Sequence, residues 1–100
     1  MKHFALTYDF VDHFTEKRAP FREAHLALLH DAKARGFLLF SGPLGEPPDG
    51  ALLVFRAEAA SAIEDLARAD PYVINGLVTA WRVRPWNIVV GSEMMQPKAL

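Results

Sequence analysis

The chain contains no cysteine, and this absence excludes several kinds of chemistry at once. Without a thiol there is no disulfide, no thiolate nucleophile and no cysteine-ligated zinc site. The longest apolar runs are also far shorter than the ~20 residues that span a bilayer. Polar and acidic residues in the opening stretch MKHFALTYDF interrupt the apolar core that a signal peptide carries. We therefore expect a cytoplasmic protein with no membrane partner.

An excess of charge of one sign is missing as well. Eleven basic and twelve acidic side chains give the chain a formal charge of −1, and the basic residues are scattered. This argues against a nucleic-acid partner, because phosphates are bound by clustered Lys and Arg. The length of 100 residues and the 51% hydrophobic content indicate one domain, placed at residues 1–91. Residues 92–100 show no hydrophobic periodicity, which is typical of a disordered C-terminal tail.

Hydrophobic periodicity predicts the element order β-α-β-β-α-β. The predicted segments are a strand in KHFALTYDF, a helix over 16–35, strands at 37–40 and 51–55, a helix in AEAASAIEDLARAD and a strand in GLVTAWRVRPW that ends at Pro85. The strands show alternating or continuous apolar residues and the helices show a spacing of three to four. A loop rich in Gly and Pro separates the two middle strands.

This order is that of the ferredoxin-like α+β fold, in which two helices cover one face of a four-stranded antiparallel sheet. The stretches FLLF and ALLVF are apolar at consecutive positions, so both faces of the sheet require burial, yet two helices cover only one. The sequence therefore predicts that the other face packs against the same face of a second copy, giving a homodimer.

Two polar residues fall on the predicted inner faces of the helices. On a wheel of roughly 100° per residue, His25 projects from the apolar side of the first helix, and Asp70 continues the apolar stripe of the second. Arg22 lies on the flank of the same face as His25. Because both helices pack on one sheet face, His25 and Asp70 could meet, and leaving either one buried and unpaired would cost several kcal/mol.

A structural role is open for each of these two residues. Asp70 precedes Pro71 and suits the N-cap of a short helical turn. A single histidine on an apolar face, such as His25, is more often a satisfied core residue than a catalyst. The roles of Asp70 are compatible, because one carboxylate oxygen can cap while the other accepts from an imidazole. An inward His with an acidic partner also suits proton transfer near neutral pH.

Other groups are weaker candidates. Ser41 lacks the surroundings of a nucleophile elbow, but its hydroxyl and the backbone N–H of Gly42 could hold a substrate oxygen. Asp9, Asp12 and His13 contain metal-ligating groups, although acidic surface loops are usually only solvated. Prolines remove the amide donors that a phosphate loop needs. We expect no metal and no cofactor.

The same residues carry a resemblance to a known family. The motifs are RxxHL at 22–26, GxLLxSGPL at 36–44, DPY at 70–72 and RPW at 84–86. In this order and at this spacing they resemble the YCII-related family, from the first strand to about residue 90. The resemblance implies a dimeric α/β-barrel type of ferredoxin-like fold, a His-Asp dyad at His25 and Asp70, and kinship with muconolactone isomerase-like proteins.

Two functions stay open at this point. In the first, His25 and Asp70 move a proton on a small cyclic or aromatic-derived acid, lactone or halide, in a lyase or isomerase reaction. Arg22 then holds an anionic oxygen of the small-molecule ligand, and Ser41 or Gly42 holds a second oxygen. In the second, the pair is a buried polar contact within a non-catalytic metabolite-binding or structural dimer module.

Overall fold

The computed structural model describes residues 1–91, and the predicted tail at 92–100 lies outside the described residues. The strands are β1 (Lys2–Phe10), β2 (Leu38–Leu44), β3 (Gly50–Ala57) and β4 (Val78–Pro85), and the helices are α1 (Phe14–Lys17), α2 (Arg22–Ala34), α3 (Ala60–Ala69) and α4 (Pro71–Ile74), with a 3₁₀ turn at Ala19–Phe21. No helix among residues 1–91 is long and apolar enough to cross a bilayer.

The sheet has the strand order β2-β3-β1-β4 with every neighbouring pair antiparallel. The fold is therefore the predicted ferredoxin-like α+β arrangement. Alternation along β1 buries Phe4, Leu6 and Tyr8 on the inner face of the sheet, the face that the helices cover. Ile63 of α3 is fully buried in the same core. Apolar side chains recur every two residues in the strands and every 3.6 residues in the helices, so each element has one apolar face. The core forms where these faces pack together.

The predicted helix over 16–35 is interrupted in the structure. Pro20 lies in the 3₁₀ turn between α1 and α2, because a proline inside a helix removes a backbone hydrogen bond and clashes with the preceding turn. The consequence is that α2 begins only at Arg22. Phe14 and Arg18, which precede the turn, line the same cavity as His25 of α2.

Strand β2 is longer than predicted. It continues through Pro43 to Leu44, whereas the sequence pattern placed these residues in a loop. A proline is tolerated here because β2 is an edge strand of the sheet formed by residues 1–91, and one row of its backbone groups faces no strand of that sheet.

A register shift in β2 decides which side chains face the helices. Between Leu38 and Phe40 the pairing slips by one residue, so Phe40 lies opposite Val54 and Ser41 lies opposite Leu53. Leu53 belongs to the core beneath the helices and Val54 does not. The bulge therefore sends Phe40 to the outer face of the sheet, the face without helices, and turns Ser41 to the helix side.

The outer face carries apolar side chains at one edge and basic ones at the other. Phe40 and Leu44 of β2 are 46% and 49% exposed. Arg82 and Arg84 of β4 lie opposite Thr7 and Ala5, on the outer side of β1.

His3 lies on this outer face, opposite Arg56 of β3. Its Nε2 is buried and has no hydrogen-bond partner among residues 1–91. Burial lowers the pKa of His3, and the positive charges of Arg56 and the N-terminal amine act in the same direction.

We expect His3 to make the fold less stable in mild acid. Its ordinary pKa is 6.5 and the folded state lowers it, so below that pH the unfolded chain binds more protons and the free energy of unfolding falls as pH falls. Urea unfolding at fixed protein concentration, between about pH 7.5 and 5, measures this slope. The His3→Gln variant should show a flatter slope than the wild type. His30→Gln, at an exposed position of α2, should keep the wild-type slope, and equal slopes for both variants would contradict this explanation.

Candidate active site

The His25 and Asp70 side chains are in direct contact. Nδ1 of His25 lies 2.8 Å from Oδ1 of Asp70. His25 is 9% exposed and Asp70 is completely buried. Asp70 has an extended backbone between the end of α3 and the start of α4, which separates the two helices and places its carboxylate beside α2.

Asp70 also caps α4, as predicted. Its Oδ1 accepts a hydrogen bond of 2.9 Å from the backbone N–H of Tyr72, and Pro71, which has no N–H to satisfy, occupies the first helical position. The division between the two oxygens differs from the expectation. Oδ1 serves both the cap and His25, whereas Oδ2 accepts from a residue that the sequence did not single out for the site.

That residue is Tyr8 of β1, whose hydroxyl donates to Oδ2 of Asp70 at 2.8 Å. Burial raises the pKa of Tyr8 far above its ordinary range, and the charge of Asp70 and the hydrogen bond to it raise it further. The phenol therefore stays protonated and remains a donor. In the sequence Tyr8 has the spacing of a core residue; the available signal was that a buried tyrosine hydroxyl needs a partner.

Tyr72 holds the imidazole from a second side. The rings of His25 and Tyr72 are stacked, with centroids 3.8 Å apart and planes 7° from parallel. Burial raises the pKa of the Tyr72 hydroxyl, while the positive charges of Arg18 and Arg22 act in the opposite direction. The stack and the contact with Asp70 together fix the plane of the imidazole. Nε2 is the ring nitrogen that Asp70 does not contact.

His25 lines a cleft of about 260 Å³. One wall is aromatic, where the rings of Phe10 and Phe14 are stacked with centroids 3.6 Å apart. Arg18 and Arg22 also line the cleft, and among residues 1–91 neither guanidinium has a carboxylate within ion-pair distance. Such a space suits a small ligand that carries negative charge and a flat apolar surface.

The structure gathers the predicted residues around this cleft. Arg22, His25, Ser41 and Gly42 line it, and Asp70 lies behind His25. Ser41 reaches the cleft only because of the register shift in β2. Among residues 1–91 no group of three His, Asp or Glu side chains is placed to hold a metal ion. The arrangement is suited to proton transfer at Nε2 of His25 beside an anionic ligand.

Three comparisons with known proteins bear on the chain. The sequence model of the YCII-related domain matches residues 1–87. No curated protein sequence matches significantly. Among solved structures, the 5-chloro-2-hydroxyhydroquinone dehydrochlorinase TftG from Burkholderia phenoliruptrix AC1100, in complex with 2,5-dihydroxybenzoquinone, is similar with a TM-score of 0.71 and 24% identity, over 84% of this chain and 92% of that chain.

Protein Atu4242 from Agrobacterium tumefaciens is also similar, with a TM-score of 0.54 and 16% identity, over 95% of this chain and all of that chain. At these identities the two structures agree with this chain in fold.

Removal of the buried carboxylate should be costly. In Asp70→Ala the Tyr8 hydroxyl, the Tyr72 N–H and the His25 ring all lose their acceptor, so we expect a loss of about 3–5 kcal/mol in the free energy of unfolding. Asp70→Asn keeps an acceptor oxygen for the cap and should cost less than half as much. Urea unfolding checks both values.

Asp65→Ala is the matched control, because Asp65 is exposed on α3 and its one polar side-chain contact among the described residues is with Arg68, at 3.5 Å. Its effect should stay within about 0.5 kcal/mol. A similar loss for Asp65→Ala and Asp70→Ala would mean that the hydrogen bonds of Asp70 contribute no special stability.

Proposed function

The chain belongs to the YCII-related family, and from this premise we propose that it is a small-molecule enzyme in which His25, oriented by Asp70, transfers a proton on a small acidic ring compound. The single observation that carries the proposal is the 2.8 Å contact between His25 Nδ1 and Asp70 Oδ1 at a cleft with two guanidinium groups. A carboxylate on one ring nitrogen supports the imidazolium that forms when the other nitrogen takes a proton.

The charges of the cleft support an anionic substrate. Arg18 and Arg22 have no carboxylate partner among residues 1–91, so a negatively charged oxygen of the substrate can bind them without displacing an internal ion pair. The stacked rings of Phe10 and Phe14 offer a flat apolar surface to the ring of the substrate. The similarity to TftG, which the solved structure holds with 2,5-dihydroxybenzoquinone, favours a hydroxylated ring.

The reaction that this site supports best is an elimination. Nε2 of His25 takes a proton from the substrate, the released electron pair forms a new double bond, and the bond to a leaving group such as chloride breaks. The sum is loss of one proton and one chloride, so no oxidant or reductant is needed. Arg18 and Arg22 stabilise negative charge that develops on a ring oxygen. The hydroxyl of Ser41 and the N–H of Gly42 hold a second oxygen. Isomerisation uses the same proton transfer without a leaving group.

Chloride release from 5-chloro-2-hydroxyhydroquinone and related chlorinated dihydroxybenzenes tests the proposal. His25→Asn retains a polar side chain but no base, and we expect chloride release to fall at least about 100-fold. His30→Asn, the same change at an exposed position of α2, should stay within about twofold of the wild type, a difference of less than 1 kcal/mol in the barrier.

Binding of 2,5-dihydroxybenzoquinone, followed by its absorbance, separates an enzyme from a binding module. Arg22→Gln should weaken this binding about tenfold or more, the loss expected for one charged hydrogen bond. Saturable binding with no turnover of any halogenated or enolisable ring compound would replace the enzyme proposal by a metabolite-binding module.

We further propose that two copies associate through the outer face of the sheet. Phe40 and Leu44 expose apolar surface there, on the side that the helices leave uncovered, and a symmetric pairing would bury it twice. Light scattering after gel filtration should give about twice the chain mass of 11.2 kDa. Phe40→Glu should give single chains at micromolar concentration. Ile74→Glu, at an exposed position of α4 on the helix side of the sheet, should leave the mass unchanged. A single-chain mass for the wild type would contradict the homodimer.

A further inference from the structure

The Asp70 carboxylate contacts donors from three different elements. Tyr8 of β1 donates to Oδ2, and the N–H of Tyr72 in α4 donates to Oδ1. His25 of α2 lies at hydrogen-bond distance from Oδ1. The backbone amide can only donate. The hydroxyl of Tyr8 donates to Oδ2, and burial keeps its pKa high, so its proton stays in place. All of these contacts favour an ionised carboxylate, which has no proton of its own to give.

The protonation of the imidazole follows from this arrangement. An ionised carboxylate only accepts hydrogen bonds, so Nδ1 of His25 must carry the proton that lies between the two groups. The neutral imidazole then has its lone pair on Nε2. That tautomer is the one a general base at the cleft requires.

We propose that Tyr8 is a positioning residue of the site: by occupying Oδ2 it directs Oδ1 toward His25 and so holds the imidazole in the Nδ1–H form with Nε2 free to take a proton. This inference deepens the proposed function and rests on it for the role of Nε2. Tyr8 acts through Asp70, and its hydroxyl also shares the negative charge of the carboxylate, which limits how strongly Asp70 stabilises the imidazolium.

Within the described part of the chain, few charged or titratable groups surround the imidazole. Asp70 faces Nδ1, Tyr72 of α4 stacks on the ring, and Arg18 and Arg22 line the same cleft. The two arginines stay charged at all pH values of interest, and the tyrosines stay protonated. A change in the titration of His25 on substitution of Tyr8 therefore reports on the carboxylate alone.

NMR of the four histidines with ¹⁵N-labelled imidazole, from about pH 5 to 9, tests the proposal in the wild type and in Tyr8→Phe. Wild-type His25 should show the proton on Nδ1 above its titration midpoint. In Tyr8→Phe the charge of Asp70 is no longer shared with a phenol, so the imidazolium is better stabilised. The midpoint should rise by about 0.5–1 unit.

Tyr72→Phe is the matched control, since it removes the other tyrosine hydroxyl while keeping the ring stack and the cap. Its midpoint should stay below that of Tyr8→Phe. A folded Tyr8→Phe with an unchanged midpoint, or wild-type His25 with its proton on Nε2, overturns the proposal; the second result decides the matter even if Tyr8→Phe fails to fold. The expected tautomer and shift without any turnover would refute the proposed function and leave the role of Tyr8 standing.

Discussion

The buried carboxylate of Asp70 is the interaction on which the rest of this structure depends. Isolated in an apolar core, a carboxylate costs several kcal/mol, and here the cost is offset only when β1, α2 and α4 are all in place to supply donors. An apolar core tolerates some repacking, whereas this contact is satisfied by one arrangement of the three elements. The site and the core are therefore specified together.

The negative and positive charges of the site lie at different depths below the protein surface. The negative charge lies at the base of the site and its hydrogen-bonding capacity is used by protein groups, while the guanidinium groups of Arg18 and Arg22 line the cleft without acidic partners among residues 1–91. A ligand that enters meets positive charge, and Asp70 is screened from it by the ring of His25 and the hydroxyl of Tyr8. A chain with almost no net charge can thus attract anions locally.

The sequence predicted the fold and the position of two central side chains, because both depend on local periodicity. His25 and Asp70 stand out where a helix pattern requires apolar residues. Tyr8 does not stand out, since its spacing matches that of Phe4 and its partner lies 62 residues away. The sequence pattern also missed the break around Pro20, because residues on both sides of the 3₁₀ turn have helical spacing.

Strand β2 links the two faces of the sheet in a way that restricts how this chain can vary. Its bulge assigns Phe40 to the outer face and Ser41 to the cleft. Loss or gain of a single residue in this strand would exchange them, placing an aromatic ring in the cleft and a hydroxyl on the outer face. Conservative substitutions in β2 are therefore easier to accommodate than insertions or deletions. Related chains should differ more in the residues of this strand than in its length.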